Sequence, residues 1–380
     1  MDIFYVFFLR LISYLEDSSK IIATSILFLV LITHILWFNN WKIRLKKEDV
    51  LPILVLVFML AHTLIFSQVT LQIVGILFSY LLWYFFVKNK FKNLSKFDAI
   101  KYLVYSLTVY NLINFIWYEI EYSHLRTGIN TTLGLFNIVA YRVNFPMASG
   151  LTVNSVQIGI TSLLTLYLIK NTNKLQLKYF LTILYVWNLY LLVVLDSRSP
   201  LIISILLGFV VGMGIKTIVY FITRYWAIIA VSAIFAVYIF YNTDIFIGFK
   251  RPGELEENFF KRPKIWELAI TSSFEDFRFL FGHGLNSFKE MISQYEKSLS
   301  TTHNVFLQVL YDYGIFGLTI LIFFLYKTMT VLLKHKDNNL MIIFVTFFLF
   351  GCLESVPSYY TFTPTLIFIP LLVIIYKVKE

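Results

Sequence analysis

The chain has 380 residues, a formal net charge of +10, 58% hydrophobic and 14% charged residues, and a mean hydropathy of +0.75. Soluble domains use about 45–50% apolar and about 25% charged residues, and disordered chains need low hydrophobicity, so both classes are excluded. The single cysteine, Cys352, excludes an intrachain disulfide and a cysteine-based metal site.

What remains is an all-α polytopic membrane protein, because apolar runs of roughly 18–20 residues recur along the whole chain. The first run, 3–15, is short and carries Arg10. It reads as a span or as a helix lying on the interface. Further spans read as 21–38, 50–66, 71–87, 100–120, 155–168, 179–195, 200–215, 226–241, 305–333, 340–353 and 360–376. No basic leader or small-residue cleavage site marks the N-terminus, so no cleavable signal peptide is expected.

Charge sets the orientation. Lys42, Arg44, Lys46 and Lys47 follow the 21–38 run, and Lys88 to Lys101 follow 71–87. Lys170, Lys174 and Lys178 mark a further connection. Lys216 and Arg224, Lys334 and Lys336, and Lys377 and Lys379 mark others. Every second connection is basic, which assigns these to the cytoplasmic face. About twelve spans with both termini cytoplasmic satisfy this pattern. The whole chain, 1–380, then forms one integral membrane domain, with 242–302 as its large outward loop.

That loop holds two amphipathic helix candidates. One starts at Pro263, a favoured first helical residue, with Ile265, Trp266, Leu268 and Ala269 behind it. The other starts near Ser287, with Glu290 three residues on as a capping box. Gly282-His283-Gly284 forms a tight turn between them. Both helices are expected to lie on the membrane surface and roof a cavity.

Chemistry is sought on the outward side, because functional residues concentrate on loops held by a rigid scaffold. No phosphate loop, Rossmann glycine pattern or HExxH occurs, and no metal-holding Asp-x-Asp pair is present. The inner basic residues read as topology signals rather than nucleic-acid contacts. Outward arginines need another explanation. In Asp196-Ser197-Arg198-Ser199-Pro200, Ser199 is a good N-cap and Pro200 a good first helical residue. Arg198 then lies at the positive end of a helix dipole, which is favourable only when an anion is shared with it. Arg262 repeats the arrangement before Pro263. Two such arginines suggest a diphosphate clamp; ion pairs with Asp196, Glu256 or Glu257, or headgroup anchoring, would also explain them. Arg142 is a third outward arginine and Arg126 a weaker fourth; each also reads as a solvated loop charge.

His303 opens the 305–333 span. A neutral imidazole there can accept a proton from a hydroxyl, and an ordinary interfacial histidine explains it equally. Asp312 follows nine residues on, about 13 Å down a continuous helix. An acid at such depth usually has a partner, an arginine of the site or a Tyr or Asn of another helix.

These segments resemble the O-antigen polymerase and ligase superfamily, the Wzy-type polymerases and lipid A-core ligases of bacterial surface polysaccharide assembly. The likeness rests on Ser197-Arg198-Ser199, on Arg262…Trp266…Ala269 followed by Phe281-Gly282-His283-Gly284, and on His303-Asn304…Leu307…Tyr313-Gly314-Ile315-Phe316-Gly317-Leu318. Arg142…Gly150…Asn154 adds a fourth segment, with Val153 where relatives usually have Pro. Asp312 stands where relatives often have Glu or a neutral residue.

The resemblance implies a GT-C-like fold and a metal-independent, inverting glycosyltransferase without a cofactor. Its donor would be an undecaprenyl-diphosphate-linked oligosaccharide on the outer face of the cytoplasmic membrane. Arg198, Arg262 and His303 take the catalytic positions, with Arg142, Asn154, Asn304 and Asp312 at substrate-binding ones. Implied partners are membrane lipid, a flippase and a chain-length regulator, with no nucleic acid. Ligation to another acceptor and a flippase or transporter of the same lipid-linked sugars remain as alternatives. A transporter would favour midplane charges and interrupted helices in matching halves.

Overall fold

The computed structural model describes residues 47–66, 71–122, 151–195, 197–213, 216–225, 228–229, 231–232, 235, 239, 262–275, 277–285, 287–295, 301–353 and 362–377. Among these, twelve α-helices occur and no strand. They are α1 (Val50–Phe66), α2 (Leu71–Phe91), α3 (Lys96–Trp117), α4 (Leu151–Asn171), α5 (Leu175–Val194) and α6 (Arg198–Met213). Then follow α7 (Lys216–Arg224), α8 (Arg262–Ser273), α9 (Ser287–Ile292), α10 (Val305–His335), α11 (Asn338–Leu353) and α12 (Phe362–Lys377). The 3–15 and 21–38 runs lie outside the described residues, as does most of 226–241.

By length and composition, Lys96–Glu121, Leu175–Val194 and Val305–His335 are long and apolar enough to cross a membrane. Val50–Phe66, Ser199–Met213, Asn338–Cys352 and Ile367–Tyr376 are shorter apolar helices. Peripheral helices turn apolar side chains outward, as Ile183 and Val186 on α5 and Leu206 and Phe209 on α6 do. In water such surfaces would be unfavourable; in lipid they are expected.

The helix ends sort into two sets. At one end Lys96 pairs with Asp337, which also meets Tyr167 at 3.4 Å. Lys170 Nζ donates to the Val211 carbonyl at 2.9 Å, and Lys88 pairs with Asp49. This basic end gathers the starts of α1, α3 and α11 and the last turns of α2, α4, α6 and α10. At the opposite end Ser155 shares a hydrogen bond with Ser197, and Asn304 Nδ2 donates to the Cys352 carbonyl at 3.1 Å.

α4 is the central helix. It packs against α3, α5, α6, α11 and α12. Its Thr161, Ser162 and Thr165 are fully buried and return their hydroxyl protons to carbonyls of their own helix at 2.7 Å. Such back-bonding satisfies a hydroxyl without a partner helix.

The connection marked by Lys216 and Arg224 is helical, with Ile218, Phe221 and Ile222 at helical spacing. α7 buries Ile222 and packs on α11 and α6. One expectation needs correction: the 305–333 run is not one uninterrupted helix. α10 breaks at Gly314, with φ 66° and ψ −167°. Unbroken, it would carry Asn304 about 46 Å from the basic end at 1.5 Å per residue. Yet Asn304 bonds Cys352, only about 21 Å up α11 by the same rise. Val305–Tyr313 is therefore folded back over the end of α11. Ile315–His335 alone reaches about 30 Å, the thickness of the hydrocarbon core.

Candidate functional site

The break in α10 frees carbonyls that the 280–284 segment takes up. The His283 N–H donates to the Tyr311 carbonyl at 2.9 Å and the Gly284 N–H to the Asp312 carbonyl at 3.0 Å. In return the Phe316 N–H donates to the Leu280 carbonyl at 3.2 Å. Backbone groups that a helical turn would pair internally are thus satisfied by a distant part of the chain. Gly282 has φ 81°, and a Cβ on it would strike the Asp312 carbonyl and the Gly314 nitrogen. A Cβ on Gly314 would strike the Leu280 carbonyl and the Gly282 nitrogen. The glycines of both sequence segments thus serve one backbone crossing.

Around this crossing, α8 and α9 share a core with α10 rather than forming their own. Ile265, Trp266 and Ala269 of α8 and Phe288 and Ile292 of α9 pack on Tyr311. The His283 ring stacks on Tyr311 with centroids 4.5 Å apart and its Nε2 meets the Ser272 carbonyl at 3.0 Å. α8 begins at Arg262, with Pro263 in its first turn. α9 is short, and the Ser287 hydroxyl donates to the Gly284 carbonyl at 2.5 Å.

His303 sits where these parts meet. The Trp266 indole N–H donates to the Thr302 carbonyl at 2.9 Å. Arg262 lies four residues before Trp266, on the same side of α8. The Thr302 hydroxyl donates to the Asn304 carbonyl at 2.7 Å and accepts the Asn304 N–H at 3.2 Å. This bracket closes over His303, which takes φ 53°. A positive φ at a non-glycine residue is uncommon and clusters at functional positions. Asn304 caps α10, its Oδ1 accepting from Phe306 N at 3.0 Å and Leu307 N at 3.1 Å. Gln308 accepts from Thr302 N through Oε1 and donates from Nε2 to Asp312, both at 2.9 Å. Asp312 therefore has a neighbour on its own helical turn as a partner, and belongs to the folded-back segment rather than to the membrane span.

Arg198 occupies the first turn of α6 at the same end of the bundle. The N-cap is Ser197, two residues earlier than the Ser199 that Ser199-Pro200 predict: the Leu201 N–H donates to the Ser197 carbonyl at 3.0 Å. Ser197 is tied to Ser155, next to Asn154. Asn154 is 1% exposed, and among the described residues its amide nitrogen and oxygen have no hydrogen-bond partner. So Trp266 and Thr302 link the Arg262 helix to His303, and Ser155 and Ser197 link Asn154 to the start of α6. Arg142 and Arg126 lie outside the described residues.

Gln308, Thr302 and His62 were missed as site residues. His62 of α1 is 4% exposed, its Nε2 meets the Phe281 carbonyl, and its ring lies 4.7 Å from that of Tyr313. A histidine and a glutamine inside apolar runs are signals in themselves.

Residues 183–322 match the O-Antigen ligase family model. The match covers well under half of the chain. It runs from within α5 to within α10 and contains Arg198, Arg262, His303 and the Gly282–Gly314 crossing. It supports the O-antigen ligase and polymerase superfamily without separating polymerase from ligase. No curated protein matches the chain.

Proposed function

We propose that the chain is a surface-polysaccharide polymerase. It would transfer a growing glycan from undecaprenyl diphosphate to the non-reducing sugar of another lipid-linked repeat unit. The basic end faces the cytoplasm by the positive-inside rule, so the reaction runs on the outer face. The observation that carries this reading is the bond from Trp266 to Thr302, which joins the Arg262 helix to the turn bearing His303, inside the matched segment.

In this reading Arg198 and Arg262 stabilise the charge developing on the leaving diphosphate. His303 takes the proton of the acceptor hydroxyl, which attacks the anomeric carbon as the diphosphate departs with its bonding electrons. Attack opposite the leaving group gives inversion. Asn154, Asn304, Asp312 and Arg142 shape the binding of the glycan. Single replacement of Arg198, Arg262 or His303 by Ala is expected to abolish long surface chains at normal protein levels. Long chains from such mutants would overturn the assignment.

The description of the matched family favours a second reading, transfer to a non-glycan or core acceptor. Gene deletion separates the two. Loss of a polymerase leaves single repeat units, whereas loss of a ligase leaves long unattached chains.

A further inference from the structure

The segment between α8 and α9 carries an apolar face that its own core does not use. α8 buries Ile265, Trp266 and Ala269, while Phe274 at its end is 55% exposed. Phe277, in the short turn that follows, is 87% exposed, and Phe281 is 45% exposed. On a loop bathed by water such rings would be unfavourable.

The aromatic contacts show where this face leads. Phe281 stacks on Phe66 of α1, with centroids 5.5 Å apart and planes within 12°. It also stacks on Phe316 of α10, at 5.2 Å and 21°. Phe66 ends α1, and Phe316 lies one residue inside the membrane-long part of α10. Both are exposed, as are Ile65 and Ile315 beside them. The loop face is therefore continuous with the outward faces of two apolar helices, at the level where their apolar length ends. The exposed charges beside it, Glu275 and Arg278, fit headgroup depth, where a long cationic side chain reaches polar surroundings.

We propose that Phe274, Phe277 and Phe281 form a wedge seated in the acyl chains of the leaflet away from the basic end. The partner is bulk lipid. The wedge fixes the 280–284 segment, and with it the crossing at Gly314, at the membrane boundary. Interfacial insertion of this kind needs aromatic side chains on one face and polar ones around them. The proposal shares with the functional reading only the orientation of the bundle, and its test needs no glycan transfer.

The test is nitroxide labelling of the full chain in phosphatidylethanolamine–phosphatidylglycerol vesicles. Cys352 is the one cysteine and is buried, so Cys352→Ser gives a clean background. Labels are placed at Phe277→Cys or Phe274→Cys, and at Glu290→Cys on exposed α9 as reference. The expected result is a several-fold higher ratio of oxygen to water-soluble nickel collisions at 277 and 274 than at 290. Equal ratios would overturn the wedge. Loss of oxygen access at 277 on adding undecaprenyl phosphate would assign the face to a polyprenyl tail and also overturn it.

Discussion

Gly282 and Gly314 each occupy the space in which the other would carry a side chain. Both have positive φ, and their backbones cross where the 280–284 segment meets the break in α10. Gly314→Ala meets two penalties at once: φ 66° with ψ −167° is a conformation essentially confined to glycine, costing on the order of 1–3 kcal/mol, and the added methyl collides with the Leu280 carbonyl. A clear fall in thermal stability in detergent is expected for Gly314→Ala and for Gly282→Ala. Either variant unfolding at the wild-type temperature would show that the crossing is not formed.

Trp266→Phe tests the link to His303. Phenylalanine keeps an aromatic ring among Ile265, Phe288 and Tyr311 but removes the donor to the Thr302 carbonyl. A buried acceptor left without its donor costs about 1–3 kcal/mol. Polymer per unit of protein should fall more than protein level does. Equal falls in both would reduce Trp266 to a packing residue.

Asn304 has two duties that substitution separates. Its oxygen caps α10 and its nitrogen holds Cys352. Asn304→Ala loses both, and loss of the cap alone costs about 0.5–2 kcal/mol. Asn304→Ser keeps a capping oxygen and loses the tie to α11. Melting temperatures are expected in the order wild type, Ser, Ala. Serine matching the wild type would show that the Cys352 contact contributes nothing.

Asp337 offers the opposite kind of test, remote from the site. It caps α11, Oδ1 accepting from Leu340 N at 3.0 Å, and pairs with Lys96. Asp337→Ala should lower stability by about 1–2 kcal/mol while transfer per folded molecule stays unchanged. A selective loss of transfer would mean that the two ends are coupled.

Much of the scaffold was legible because apolar runs and lysine clusters obey one-dimensional rules. The run 50–66 matches α1 residue for residue, and 155–168 falls inside α4. Pro263 marked the start of α8 to within one residue. The crossing was not legible, since nothing in Tyr313-Gly314 says which distant backbone will take the freed carbonyls. Asp312 was misplaced for the same reason: its depth was counted along a helix that stops being continuous two residues later. The positive φ of His303 depends on the Thr302 bracket, which no spacing rule foresees. Arg142 lies outside the described residues, and the role read for Arg198 rests on the sequence alone.

Thr161, Ser162 and Thr165 are buried in α4, which packs against helices from both halves of the chain. The middle of the molecule is thus closed by helices far apart in sequence. Because the hydroxyls of these three residues already bond carbonyls of the same helix, α4 carries no unmet hydroxyl donor there while its neighbours assemble around it.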